Sequence, residues 1–230
     1  HSLQVDPAPT QCNMVQDVFG NTRTFFSLPF THEQLRVRAE SLLETLPVSA
    51  APPGEPWEAV RERLGYRRGQ PYHAATEFSF ASPYIPRHAD FVAYAQASFA
   101  PGRPLMDAAR DLMARIHADF AYTANATDAG TPALESLRLR RGVCQDFAHV
   151  MIGCLRSLGL AARYVSGYLL TAPPPGQPRL VGADASHAWV SVWSPTAGRD
   201  GDTPDSAAWW DLDPTNDRAA GEDYVTLAIG

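Results

Sequence analysis

Residues 140–160 read RRGVCQDFAHVMIGCLRSLGL, and their spacing decides the fold. Phe147, Val150, Met151, Cys154, Leu155 and Leu158 recur at intervals of three and four, and Gly159 follows where helices commonly stop. The pattern predicts an amphipathic helix over residues 143–158. Cys144 lies on the same inward stripe, three residues before Phe147, but on the first turn. Its thiol is therefore expected at the helix N-terminus, facing the body of the protein. The unpaired N–H groups and the positive dipole end there favour a thiolate, and the same N–H groups can hold an oxyanion formed beside the sulfur. A small buried hydrophobe is the competing reading of the same residue.

Beyond this helix, ARYVSGYLL, HAWVSVW and WWDLD are rich in aromatic and β-branched residues and are separated by Pro/Gly stretches, as strands of an antiparallel sheet are. Before it, Phe91, Tyr94, Ala95, Ser98 and Phe99 fit one helical face, and Leu105, Ala108, Ala109, Leu112, Met113, Ile116 and Phe120 fit another. Thr131-Pro132 reads as a further helix start, with Thr131 as cap and Pro132 at the first helical position. Helices first and sheet second predict an α+β core over residues 87–230. Near the N-terminus, Gly20-Asn21 separates two β-prone runs, Met14 to Phe19 and Thr22 to Leu28, as in a tight hairpin, and EQLRVRAES alternates like a half-buried strand. Residues 1–48 are thus expected to form a small β module. Residues 49–86, where prolines and glycines recur, are expected to be a mostly irregular connection.

Composition excludes several functions. At 230 residues and 45% hydrophobic, the chain can bury one sizeable core plus a smaller module. It has no run of about 18 apolar residues, so no spanning helix is expected, and its negative net charge argues against an anionic-membrane partner. The formal charge of -6, with only YRRGQ and RLRRG as basic islands, argues against a nucleic-acid partner. Three cysteines without a Cys-x-x-Cys pair favour neither a disulfide framework nor a structural zinc. Cys144 and Cys154 sit about 15 Å apart along one helix, beyond bridging. Free thiols, with no charged-then-apolar leader after His1, give a cytoplasmic location as the expectation. No cofactor and no metal are expected.

A cysteine nucleophile needs a base, and the base needs an orienting group. His149 lies five residues after Cys144 and so points roughly 140° around the helix from it. His187 begins HAWVSVW, shares a strand face with Trp189 and Ser191, and can approach Cys144 from the sheet. His1, His32, His73, His88 and His117 suggest no shared site. WWDLDPT offers Asp211 and Asp213 on one strand face, about 6.6 Å apart. A metal pair is the alternative for these two, but neither His187 nor the cysteines complete a familiar ligand spacing. Asp213 precedes Pro214 where the strand must end, and from a turn it can orient an imidazole.

Taken in order, RRGVCQDFAHVMIGCLRSLGLAARYVSGYL, DASHAWVSVW and WWDLDPTND resemble the Gly-x-Cys helix block, the His-Ala-Trp strand and the Asp-Pro-Thr strand of bacterial transglutaminase-like cysteine peptidases. These form a branch of the transglutaminase superfamily with a papain-like core, and the likeness runs from Leu105 onward. It implies a nucleophile helix packed on an antiparallel sheet, with Cys144 as nucleophile, His187 as general base and acid, and Asp213 rather than Asp211 as the orienting carboxylate. The implied reaction is acyl transfer from a peptide or protein amide through a thioester, resolved by water or by an amine. A non-catalytic binding module on the same fold is the further alternative. Gln145 is a candidate second oxyanion donor, and Trp189, Trp209 and Trp210 are candidates to wall an acyl tunnel. The N-terminal hairpin resembles the end of the β module that precedes the core in this branch.

Overall fold

The structure is a computed structural model and describes residues 1–47, 54–69, 73–170, 172, 176, 181–182, 186–195 and 209–230. Four strands open it: β1 (Ser2–Asp6), β2 (Gln11–Gln16), β3 (Thr22–Ser27) and β4 (Arg36–Glu40). β2 and β3 form the expected antiparallel hairpin. Its connection, Asp17–Asn21, is wider than a two-residue turn, because the Asp17 carboxylate accepts from the N–H groups of both Phe19 and Asn21 at 2.9 Å. β4 pairs antiparallel with β1, but every β4 residue is exposed, which corrects the half-buried expectation. Alternation there reflects a ladder satisfied by one partner strand; among the described residues no layer covers Leu35 or Val37. Asn21 ties this module to the core, donating to the Ile229 carbonyl at 2.7 Å and accepting from its N–H at 2.9 Å.

Residues 49–86 carry helix α1 (Trp57–Leu64) and a 3₁₀ turn (Ala74–Ser79), where a mostly irregular connection was expected. Pro56 stands at the start of α1, where a missing N–H is harmless, and no proline or glycine interrupts the helix before Leu64. Val60 and Leu64 anchor it in the core. Helices α2 (Ala89–Ala95) and α3 (Leu105–Asp119) follow, with Ser98 and Phe99 buried just beyond α2. β5 (Ala121–Tyr122) precedes α4 (Ala133–Leu139), whose cap position is Pro132; Thr131 lies one residue outside and bonds Asp128 instead of capping. β6 (Arg141–Gly142) pairs parallel with β5 and leads into α5 (Cys144–Ser157).

The three expected strands are β7 (Ala162–Leu169), β8 (His187–Trp193) and β9 (Trp209–Asp213), joined by β10 (Arg218–Ala219) and β11 (Tyr224–Ile229). They form one antiparallel sheet in the order β10-β9-β8-β7-β11. The apolar stripe of α5 packs with Ala188, Val190 and Val192 of β8 in the main core, while Trp189 turns to a second cluster with Val165, Leu169 and Tyr224. Each fully buried Leu, Val or Phe in these clusters contributes about 1.5–3 kcal/mol. The fold is α+β, with the Cys144 helix laid on an antiparallel sheet. Among the described residues, no helix is long and apolar enough to cross a membrane.

Candidate active site

The start of α5 is built around a buried carboxylate. Asp146 is 1% exposed, and its oxygens accept from the Val143 N–H at 2.8 Å and from the Thr127 and Ser136 hydroxyls at 2.6 Å each. Three donors make that burial tolerable and stop the helix at Cys144. A Cβ at Gly142 would overlap the Asp146 carboxylate, so the close approach demands glycine two residues before the cysteine. Cys144 is partly exposed at the first helical position. The Gln145 side chain does not turn toward it: its amide nitrogen donates to the Ala129 carbonyl at 3.2 Å and holds the loop before α4. Cys154, deeper on the same stripe, is fully buried, and burial pushes its thiol well above the ordinary range.

His187 opens β8 and is 1% exposed. Its Nε2 meets Asp213 Oδ2 at 2.8 Å; its buried Nδ1 has no hydrogen-bond partner among the described residues, and the Cys144 side chain lies near enough to act on the charge of the imidazole. Asp213 ends β9 fully buried. Its Oδ1 accepts from the N–H groups of Thr215 at 2.8 Å and Asn216 at 3.3 Å; Oδ2 also accepts from Asn216 Nδ2 at 2.7 Å and the Tyr224 hydroxyl at 2.8 Å. Burial alone would raise the Asp213 pKa, but the bonds from His187, Asn216 and Tyr224 outweigh it and hold the carboxyl below its usual range. Burial likewise opposes a charged His187, yet Asp213 and Cys144 carry the imidazole up to about 9. The two shifts run in opposite directions and favour imidazolium and carboxylate over the neutral pair. His117, placed in no site by its sequence context, supports the turn after β9 through Nδ1 and the Thr215 carbonyl at 2.9 Å.

His149 is buried on α5, its ring 6.2 Å from that of Tyr84 and 5.2 Å from that of Tyr164, and burial pulls it down to about 4. It is a neutral packing residue away from the His187–Asp213 pair. Asp211 faces Ser191 across the β8–β9 ladder, and its carbonyl accepts from the Ala220 N–H. Trp189 is fully buried against Tyr224, with its ring 6.2 Å from that of His187. Trp209 and Trp210 pack partly buried on the main core. Tyr122 and Tyr164 are two neighbours that the sequence reading missed; burial and the adjacent Cys144 raise both phenols. Among the described residues, no three His, Cys, Asp or Glu side chains gather as a metal site requires.

A helix that opens on a cysteine, packed on an antiparallel sheet whose histidine bonds an aspartate, is the papain-like α+β arrangement. The chain belongs to the transglutaminase-like superfamily: the core model of that family matches residues 92–214, and the bacterial transglutaminase-like N-terminal region matches residues 1–44. An uncharacterized protein of Mycobacterium tuberculosis is 42% identical over 240 residues, covering 100% of this chain and 71% of its own length. A protein-glutamine gamma-glutamyltransferase of Pseudomonas aeruginosa is 33% identical over 102 residues, 43% of this chain and 14% of that protein. The crystal structure of a candidate cysteine protease from Cytophaga hutchinsonii superposes with a TM-score of 0.63 over 100% of this chain and 69% of that one, at 19% identity, a likeness of fold.

Proposed function

We propose that the chain is a cysteine-dependent amide hydrolase or peptidase, in which Cys144, His187 and Asp213 act as a triad through a thioester. The observation that carries this reading is the buried His187–Asp213 bond at 2.8 Å, with the Cys144 side chain, at the N-terminus of α5, beside the same imidazole. Cys144 as thiolate attacks the amide carbonyl, and the oxyanion forms next to the N–H groups of Cys144 and Gln145, which precede the first bonds of the helix, from Asp146 and Phe147 to the Val143 carbonyl. His187 gives its Nδ1 proton to the leaving amine, and the C–N bond breaks as the thioester is established. The neutral imidazole then takes a proton from water, which attacks the thioester; the acid product leaves and the thiolate–imidazolium pair returns. Asp213 keeps Nε2–H bonded and the ring aligned throughout.

Transamidation is the second reading, favoured by the similarity to the Pseudomonas glutamyltransferase over 102 residues. It differs only in the nucleophile that resolves the thioester. Blocked peptides carrying glutamine, incubated with and without a primary amine and followed by mass spectrometry, test both readings. Acid product alone supports hydrolysis, and a new secondary amide supports transamidation. If a broad peptide library acylates no residue, or acylates a residue other than Cys144, the proposal fails.

A further inference from the structure

Asn216 makes two kinds of contact at once. Its Nδ2 donates to Asp213 Oδ2 at 2.7 Å, and the same amide pairs with a distant stretch of backbone: Oδ1 accepts from the Val181 N–H at 2.9 Å, and Nδ2 reaches the Val181 carbonyl at 3.2 Å. The next residue, Gly182, has φ +89, and a Cβ built on it would stand 2.5 Å from His187 Nδ1 and 3.1 Å from Cε1. Its backbone therefore lies against the ring edge that carries Nδ1. Neither an ordinary φ nor a side chain is compatible with that approach.

We propose that Asn216 is a positioning residue that locks the Val181–Gly182 backbone against His187, so that the imidazole cannot swing from the sulfur and Nδ1 stays shielded from water. The inference rests on the reading of Cys144 and His187 as a reactive pair. The groups that act on the imidazole are Asp213, which Asn216 also steadies, and Cys144, with the Tyr224 hydroxyl bonded to the same carboxylate oxygen, Oδ2, that meets His187. Asn216 itself touches neither the sulfur nor a place where an acyl group would form, so it acts through His187. Losing its amide frees Val181 and withdraws one donor from Asp213. A role confined to holding the chain together would leave the pairing of sulfur and imidazole unchanged.

The test uses iodoacetamide on the full chain, with the alkylation rate of Cys144 followed from pH 5.5 to 9.5 by peptide mapping. Wild type is expected to keep a high rate at pH 6, where an unpaired thiol is unreactive. Asn216→Ala is expected to be about tenfold slower at pH 6 yet equal to wild type at pH 9.5, where a thiolate forms without help from the imidazole. Gly182→Ala, which reaches His187 from a different element, is expected to do the same or more, and it keeps the test open if Asn216→Ala does not fold. Profiles of both variants that superimpose on wild type, or that fall equally at every pH, overturn the positioning role alone. A wild-type profile no different from that of the exposed Cys12 overturns the underlying triad reading, and this inference with it.

Discussion

Cys144→Ala is expected to lower amide turnover by on the order of 10⁴-fold or more while leaving the fold intact. The residue is partly exposed at the first position of α5, so truncation opens little cavity. The helix start does not depend on its side chain, since Asp146, Gly142 and the hydroxyls of Thr127 and Ser136 build it. The melting temperature should therefore stay within a few degrees of wild type. Cys154→Ala reverses the pattern: that sulfur is fully buried among apolar neighbours, so its loss costs roughly 1–2 kcal/mol and leaves turnover in place. Turnover with a confirmed peptide, measured beside thermal melts of both variants, checks the pair. Retained turnover in Cys144→Ala defeats the assignment.

The second large effect is expected from Asp213→Asn, on the order of 10³–10⁴-fold in turnover. An amide in place of the carboxylate must point its NH₂ group at one of the N–H or O–H donors that now converge on Asp213, so His187 loses either its alignment or its charge partner. The variant also has a signature in stability against pH. In wild type the folded imidazole pKa, about 9, lies above its ordinary value near 6.5. Its contribution is fully present below about pH 6.5 and is lost as pH rises through 9, on the order of 2–3 kcal/mol across that window. With asparagine at 213, burial dominates and the imidazole pKa falls, so the decline between pH 6.5 and 9 should disappear. Chemical denaturation at pH 6, 7.5 and 9 reads it out. An unchanged slope contradicts the electrostatic role given to Asp213.

Sequence periodicity carried the core a long way. The stripe from Phe147 to Leu158 and the stop at Gly159 place α5 within a residue of its observed ends, because a helix buried along one face must repeat near 3.6 residues. The aromatic and β-branched runs of β7, β8 and β9 are legible for the same reason at period two. Helical phase alone also sets His149 off the face of the helix that carries Cys144. What was not legible depends on partners far away in the chain. β11 is recognised as a strand only by pairing with β7, and only that pairing brings the Tyr224 hydroxyl to Asp213. The links of Asn216 to Val181 and of His117 to the Thr215 carbonyl are likewise tertiary. Asp146 did leave a local sign, an acid three residues into a helix whose preceding residue cannot cap it with a side chain. Helix α1 was hidden because prolines and glycines crowd residues 49–86, although Pro56 sits at the cap position just before the helix, where its missing N–H costs nothing.

The proposed function requires Cys144 to be a reactive thiol paired with a protonated His187, and alkylation at pH 6 tests this without knowledge of the substrate. The chain supplies its own controls in exposed Cys12 and buried Cys154. The raised imidazole pKa favours the protonated ring at that pH, and the proposed pairing sets the sulfur of Cys144 beside this cation at a helix N-terminus. Limited iodoacetamide labelling and peptide mapping should find Cys144 modified at least about tenfold faster than Cys12, with Cys154 untouched. The preference should vanish in His187→Ala. Labelling of Cys144 at or below the rate of Cys12 in the wild-type protein would contradict the account.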